Sequence, residues 1–524
     1  MSAFSLAVVF LLFHLASTYK ILVYNPRFSH SHVGFAGKIA DVLVEAGHDV
    51  TVFLPLLSPN VKTNGTKLAK TITCPAAPGV PELFEGDEHI SASWTQSFEN
   101  PIAQYFQTLK FIADTQAKQC EFTIQQDEIL DRLRNEKFAL GITEVFDACG
   151  LGLFEVLGIK AHIVTCSTVM FEGVAKNIGL DLSPSYVPSS ISTQSDQMGY
   201  FDRFSNFLSA NSFNAFYDRV ASLEHKMFQA KYGKDFVSFN EKIAQSSFAL
   251  IYADPLIDFP RQINSKVVYI GGVGVHEPKP LDTYWENIMT LRKDVIIVSF
   301  GMYVQGYTMP DAMKKALLTA FKAFPEVTFI WKYEKEEHQI AKGLDNVLTF
   351  NSIPQSDLLA HKNLRGFLTH GGMNSVTEAS HRGVPLITVP ILGDQMRNAK
   401  MVERMGTAIH LHKSDLADSQ KIISAFRALL TNENYGIEAK RVAAMIANRP
   451  IPIKTTLVRH VEFAAQFGQL KNLDPAGRTQ NFFVYHTLDI WGTIVLVLAS
   501  IVYVSFKVVV ALLRQIFAGK TKKE

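Results

Sequence analysis

Two stretches of the chain alternate short, wholly apolar runs with amphipathic segments. The first opens on "KILVYNP" (20–26), a β-rich run. "GKIADVLVEAGHDVTVFLP" follows, in which Ile39, Ala40, Leu43 and Val44 recur at helical spacing before another apolar run from Val50 to Leu54. Apolar run, helix-period segment and apolar run within about thirty-five residues predict a parallel βαβ unit. "FALGITEVF" and "KAHIVTCST" predict two more buried strands, with "CGLGLFEVLG" as the helix between them. The second series starts at Asp294. "DVIIVSFG", "VTFIWKY", "VLTFNSI", "RGFLTHGG" and "PLITVP" predict strands, and "MPDAMKKALLTAFKAF" predicts an amphipathic helix. Pro310 sits early in that helix, where the missing N–H has no intrahelical partner to lose.

Between the two series, "YIGGVGVHEPKPLDTY" is rich in Gly and Pro and predicts a linker. The stretch from Asn177 to about Leu250 is less regular and predicts helix with loops. No repeat of solenoid period is present. The expectation is therefore an α/β chain with two facing doubly wound, Rossmann-like domains. They span 19–270 and 291–445, joined by a linker at 271–290 and followed by a return helix and stalk at 446–487.

The ends add membrane features. An apolar stretch from Leu6 to Leu15 followed by small residues reads as a signal peptide over 1–18, although no Lys or Arg precedes it. Ile490 to Phe506 carries no charge and, past Lys507, the apolar run continues to Leu513. A single transmembrane helix is expected over 488–513. Arg514, Lys520, Lys522 and Lys523 follow it, which makes 514–524 a cytosolic basic tail and the bulk of the chain luminal. Asn64-Gly65-Thr66 is a glycosylation sequon. The ending "KTKKE" resembles a dilysine-type retrieval signal, so the expected location is the endoplasmic-reticulum membrane, single-pass and type I.

Composition narrows the classes. The chain has 524 residues, 47% hydrophobic and 19% charged, with a formal charge of +2. Two large cores fit this length, and no bulk positive charge points to a nucleic-acid partner. The four cysteines, Cys74, Cys120, Cys149 and Cys166, form no CxxC pair and no His/Cys metal-ligand spacing. One disulfide fits them, and all four can be paired in three ways.

The chemistry is concentrated in "FLTHGGMNSVTEASHRGVPLITVPILGDQ" (367–395). A strand ends at Thr369, His370-Gly371-Gly372 turns, and a helix runs from Met373 to Arg382 with Val376, Ala379 and Gly383 inward. Its N-terminus presents free N–H groups, an anion site, and the glycines let a phosphate approach the backbone. Asn374, Ser375 and His370 can donate to the same phosphate. Glu378 can accept from a ribose diol, and Asp394 and Gln395 can bind the hydroxyls of a sugar. The fitting ligand is a diphosphate with a sugar at each end.

From "IPQSDLLAH" through "LTHGGMNSVTEA" to "GVPLITVPILGDQ", the chain resembles UDP-glycosyltransferases. More narrowly it resembles the membrane-bound UDP-glucuronosyltransferases of animals, in an invertebrate-like form. "GHDVTVFLP", "YIGGV", "SFG" and the terminal span with its basic tail extend the resemblance over nearly the whole chain. It implies the GT-B fold, with the acceptor domain first and the UDP-sugar domain second. It also implies inversion at the anomeric carbon and no metal or other cofactor, the UDP-sugar being a co-substrate. Carried onto this chain, Gln355 lies at the base and ribose. Gly301 of "SFG" lies in the donor site, His370, Gly372, Asn374 and Ser375 at the phosphates, Glu378 at the ribose, and Asp394 and Gln395 at the sugar.

Sugar transfer to a hydroxyl needs a base for the acceptor proton. "RFSHSHVGFAGKIADVLVEAGHDV" offers His30, His32 and His48. The family's spacing to the Gly-His pair selects His32, in the loop between the first strand and its helix, and leaves His48 structural. The family supplies a carboxylate five residues before a Cys to orient that base. Here Glu144 stands five before Cys149, with Asp147 as the competitor. Two positions depart from the family pattern. Ser352 replaces the aromatic before Ile353-Pro354-Gln355, a loss on the order of 1–3 kcal/mol if base stacking goes with it, unless Phe350 substitutes. Met302 replaces a Ser after "SFG".

The resulting expectation is transfer of glucuronate from UDP-glucuronate to a small lipophilic acceptor. UDP-glucose is the rival donor, and Lys332 a candidate partner for the glucuronate carboxylate. The alternative is a membrane-anchored ligand-binding pseudoenzyme, motivated by Ser352 and Met302. A transporter is excluded because one span forms no path. The acceptor pocket is expected between about Gln96 and Met227, and a single anchor permits homo-oligomers.

Overall fold

The computed structural model describes residues 18–84, 88–97 and 100–520. The signal-peptide stretch up to residue 17, and Lys522 and Lys523 of the tail, lie outside the described residues. The chain divides into two compact units, one ending at Leu473 and the other starting at Asp474.

The first unit holds two parallel sheets. In one, β1 (Lys20–Tyr24), β2 (Asp49–Pro55), β3 (Lys70–Cys74), β4 (Leu140–Glu144), β5 (Ala161–Cys166), β6 (Ala249–Ile251) and β7 (Val267–Tyr269) lie in the order β3-β2-β1-β4-β5-β6-β7. In the other, β8 (Asp294–Ser299), β9 (Val327–Lys332), β10 (Val347–Phe350), β11 (Leu364–Thr369), β12 (Leu386–Thr388) and β13 (Ala408–His410) lie in the order β10-β9-β8-β11-β12-β13. Central strands such as β4 and β5 are buried along their whole length, which explains their unbroken apolar runs. Chain order reverses between β1 and β4 in one sheet and between β8 and β11 in the other. Those are the switch points beyond which open α/β sheets bind ligands.

The helices that matter for the site are α1 (His30–Glu45), α2 (Lys110–Ile124), α3 (Cys149–Val156), α4 (Tyr200–Tyr232), α5 (Asp311–Lys322), α6 (Met373–Arg382), α7 (Gln395–Arg404) and α8 (Ile453–Phe467). Pro310 stands at the N-cap of α5, one residue ahead of the first turn. On α6, Val376 and Ala379 are fully buried and Gly383 ends the helix at φ +68°, a left-handed cap that glycine adopts without strain. A disulfide joins Cys120 of α2 to Cys149 of α3, while Cys74 and Cys166 are buried thiols. Asn64 is half-exposed on a loop. The region from 177 to 250 holds the 33-residue helix α4.

The two lobes are pinned together by buried pairs. Arg397 of α7 is fully buried, bonds Asp258 of the first lobe at 2.6 Å and donates to the Pro188 carbonyl at 3.1 Å. Arg449 bonds Asp254 at 2.5 Å. Removing one partner of such a pair strands a buried charge, at a cost of about 3–5 kcal/mol. Helix α8 then returns to pack on the first lobe, where Lys454 reaches Glu45 at 2.8 Å.

In the second unit, α9 (Leu488–Lys520) is apolar from Leu488 to Phe517. At about 1.5 Å per residue it exceeds the roughly 30 Å hydrocarbon core of a bilayer. Among the described residues it is the one helix long and apolar enough to cross a membrane. It runs past the expected end at 513, so Arg514 lies within the helix.

Candidate active site

β1 and β4 are neighbours, with Tyr24 opposite Thr143, so the residues just beyond them meet at the sheet's carboxyl edge. Glu144 is the last residue of β4. His32 was expected in the loop before α1. It stands instead in the first turn of that helix, because the backbone is extended only as far as Ser29 and turns helical at His30. The two meet: His32 Nδ1 lies 2.6 Å from Glu144 Oε2, with the side chains 18% and 8% exposed. The other carboxylate oxygen, Oε1, accepts from the Ser167 N–H at 2.9 Å, and Ser167 Oγ lies 3.1 Å from His32 Nδ1. A carboxylate facing Nδ1 assigns the proton of neutral imidazole to that nitrogen, leaving the Nε2 lone pair for a substrate.

Asp147, the competing carboxylate, is held elsewhere. It accepts from the Cys149 N–H at 2.8 Å and from the Tyr24 hydroxyl at 3.4 Å. Burial pushes its carboxyl up to about 7. His48 is buried and receives the Tyr19 N–H at 3.4 Å, at the opposite edge of the sheet. Around His32 stand aromatic walls. Its ring centre is 4.6 Å from Phe28 and 5.0 Å from Phe146, and those two rings stack at 5.4 Å. Phe216 adjoins Phe146 at 5.1 Å, and Phe171 adjoins Phe213 at 5.5 Å. Phe28 lies outside the 96–227 region expected to line an acceptor pocket.

In the second lobe α6 opens at Gly372, directly after β11. His370 is half-buried between two glycines: a Cβ on Gly301 would come within 2.7 Å of its ring and one on Gly372 within 2.5 Å. Gly301 has φ +88°, so glycine is required there twice over. Burial, with Lys332 nearby, pulls His370 down to about 4, so it is neutral at pH 7 and donates through one N–H only. Gln355 Nε2 donates to Glu378 Oε2 at 2.9 Å and reaches Ser375 Oγ at 3.4 Å, which brings three of the expected donor residues together. Asn374 Oδ1 is buried without a protein partner.

Three of the expected residues make contacts within their own lobe. Gln395 is buried, and its amide oxygen accepts from the Ile391 and Leu392 N–H groups at 2.8 and 3.1 Å, bracing its own loop. Lys332 donates to the Gly301 carbonyl at 2.9 Å and to Glu334 at 2.7 Å, so its charge is already paired. Phe350 packs against Trp285 at 4.8 Å, while Ser352 is exposed and Met302 is 60% exposed. Among the described residues no group of three or more His, Cys, Asp or Glu could hold a metal ion.

Asp394 links the lobes. Its Oδ2 accepts from Thr168 Oγ1 of the first lobe at 2.7 Å and from Asn398 Nδ2 at 2.8 Å. Asn398 Nδ2 also lies 3.1 Å from the Gly371 carbonyl. Ser167 and Thr168 were not singled out in the sequence. Their signal is position alone: they follow β5 directly, at the carboxyl edge. A continuous polar path thus runs from His32 through Ser167 and Thr168 to Asp394.

Comparison with known proteins identifies the family and the fold. Residues 19–524 match the family model described as "UDP-glucoronosyl and UDP-glucosyl transferase". Human UDP-glucuronosyltransferase 1A4 is 26% identical over 478 residues, covering 88% of this chain and 85% of that protein. The protein ugt-48 of Caenorhabditis elegans, which carries a UDP-glucuronosyltransferase name, is 28% identical over 490 residues, covering 90% and 91%. Among solved structures, the glycosyltransferase VinC in complex with dTDP aligns with a TM-score of 0.57 at 16% identity, covering 86% of this chain and all of that one. That likeness shows the fold, the two-lobed GT-B architecture. The chain belongs to the UDP-glucuronosyl- and UDP-glucosyltransferase family and is a glycosyltransferase enzyme.

Proposed function

We propose that this enzyme transfers glucuronate from UDP-glucuronate to a hydroxyl of a small lipophilic acceptor, with inversion and without a metal. In this reading His32 Nε2 takes the proton of the acceptor hydroxyl while the oxygen attacks C1 of the sugar. The C1–O bond to the diphosphate breaks, and UDP leaves with the electron pair. Glu144 holds the imidazole in its Nδ1–H tautomer and stabilises the imidazolium as it forms. The N–H groups at the start of α6, with His370, Asn374 and Ser375, take up charge on the leaving diphosphate. Asp394 binds sugar hydroxyls. The phenylalanines around His32 supply an apolar seat for the acceptor.

One observation carries the proposal: the paired base of the first lobe and Asp394 of the second are joined through the adjacent residues Ser167 and Thr168. The names of the relatives favour glucuronate. A second reading, UDP-glucose as donor, is favoured by Lys332, whose pairing with Glu334 leaves no cation assigned to a glucuronate carboxylate. A pure binding role is weighed down by the retained His32–Glu144 pair. The proposed location is the endoplasmic-reticulum membrane with the body luminal, supported by the apolar α9. Radiolabelled UDP-glucuronate and UDP-glucose, each offered with a panel of phenols and with a His32→Ala blank, test the reading. Glucuronide formation in the wild type only is expected. Glucoside formation alone would replace the donor, and no product from either would favour the binding role.

A further inference from the structure

One stretch of the first lobe is built into the second. Between β3 and α2 the chain forms a short helix, Glu88–Ser93, and a turn. Trp94, in that turn, is 1% exposed, and it is buried among side chains of the second lobe, including Ile296, Val298 and Phe300. Its ring meets Phe300 edge-on at 5.0 Å, and its Nε1–H donates to Thr308 Oγ1 at 3.0 Å. Phe300 immediately precedes Gly301, the glycine that packs on His370. Lys413, 5% exposed, bonds the same segment. Its ammonium donates to the Ser93 carbonyl at 2.9 Å, to the Gln96 carbonyl, and to the Ile391 carbonyl at 3.3 Å. Ile391 opens the loop that Gln395 braces and that ends on Asp394.

The two anchors of this segment therefore rest on the two loops assigned to the donor: Trp94 on 300–308 at the diphosphate, and Lys413 on 391–395 at the sugar. Nothing in the chemistry of either residue requires this. A tryptophan seeking burial could fill the first lobe's own core. A lysine buried this deeply is costly unless its ammonium is fully hydrogen-bonded, and here three carbonyls from two lobes meet it. The segment's upstream side leads back to the acceptor side, where Val80 and Ala77 cluster with Phe28, whose ring lies 4.6 Å from that of His32.

We propose that Trp94 and Lys413 are positioning residues for the nucleotide-sugar, clamping a strap of the first lobe onto the two donor loops so that they are set for UDP and sugar only when the lobes are joined. Neither residue touches substrate; each acts through a loop. The inference rests on the donor site described above, and the test separates the two. UDP affinity is measured by titration calorimetry, and donor and acceptor KM by steady-state kinetics, on the full chain in detergent. The set is wild type, the three single variants Trp94→Phe, Thr308→Val and Lys413→Met, and the Trp94→Phe/Thr308→Val double variant.

Trp94→Phe keeps an aromatic ring against Phe300 and loses the bond to Thr308, and Thr308→Val loses the same bond from the other side. Thr308→Val also loses the bond from its own hydroxyl to the Gln305 carbonyl at 2.8 Å, so Trp94→Phe is expected to weaken UDP binding by a few-fold and Thr308→Val by at least as much, the double variant matching Thr308→Val alone. Lys413→Met, which releases Ile391, is expected to raise the donor KM by about tenfold. Acceptor KM and the pH profile are expected to stay at wild-type values. Unchanged UDP affinity and donor KM in all three variants, or equal losses in donor and acceptor KM, would overturn the proposal. Wild type that binds no UDP would instead overturn the donor site itself. If Lys413→Met fails to fold, the Trp94→Phe and Thr308→Val pair decides alone.

Discussion

Replacing Glu144 by Gln changes one atom and should disable the base. Oε1 of the carboxylate is pinned by the Ser167 N–H at 2.9 Å, so in the variant the amide oxygen stays there. The amide nitrogen then faces His32 Nδ1, where Oε2 now sits at 2.6 Å. An amide nitrogen can only donate, so it selects the Nε2–H tautomer and removes the lone pair that would take the acceptor proton. It also removes the negative charge beside the imidazolium. With charge centres about 4 Å apart and an effective dielectric of about 20, that interaction is worth about 4 kcal/mol. Both side chains are largely buried, so screening reduces it little. The expected fall in kcat is about a thousandfold, with the donor KM and UDP affinity unchanged, measured by glucuronide formation from a phenol at saturating donor. Asp147→Asn is the control. Asp147 touches Tyr24 and Cys149 and not His32, and an amide resembles the protonated acid it already tends to be. Its kcat is expected within about threefold of wild type. A Glu144→Gln enzyme with near-normal kcat, or an Asp147→Asn enzyme that is inactive, would refute the assignment.

Three further outcomes follow from the same geometry. Gly301→Ala places a methyl 2.7 Å from the His370 ring at a φ of +88°, and should weaken UDP binding by about tenfold or more in calorimetry; undiminished affinity would remove this turn from the phosphate site. On the proposed reading Asp394→Asn removes a charged acceptor from the transferred sugar and should weaken UDP-sugar binding by about tenfold or more while leaving UDP alone unaffected, because UDP lacks that sugar; equal losses for both ligands would place Asp394 elsewhere. Burial pulls His162 down to about 3, below the ordinary histidine value near 6.5, so the unfolded chain binds a proton there that the folded chain refuses. Stability is thus fully present above about 6.5 and lost as pH falls toward 3. His162→Gln, whose amide can still donate to the Lys242 carbonyl that His162 Nε2 meets at 2.6 Å, should flatten the dependence of the denaturation midpoint between pH 6.5 and 5 by about one proton; an unchanged slope would contradict it.

Where the pattern was long and repetitive, the sequence was legible. The apolar runs of β1, β2, β4, β5, β8, β9, β11 and β12 were readable because the faces of these parallel strands are largely buried and their residues are mostly apolar, and the edge strand β10 because "VLTF" is rich in β-branched and aromatic residues. Helix α6 was readable to the residue because a Gly turn starts it and Gly383 stops it. β3 was missed because its "KTITC" alternates exposed and buried positions at an edge, and β6, β7 and β13 because three residues carry no period. His32 and Glu144 came from spacing within a known family, not from periodicity. The contacts that join the lobes were illegible. Thr168 to Asp394, Arg397 to Asp258 and Trp94 to Thr308 link residues more than 130 positions apart, and nothing local marks either partner.

The proposed chemistry requires a base from the first lobe to act on a sugar held by the second. Single-turnover measurement on His32→Ala, with UDP affinity determined on the same preparation, tests it most directly. Undisturbed UDP binding together with a loss of turnover of at least about a hundredfold is the predicted result. Turnover that persists near the wild-type rate while UDP remains bound would contradict it.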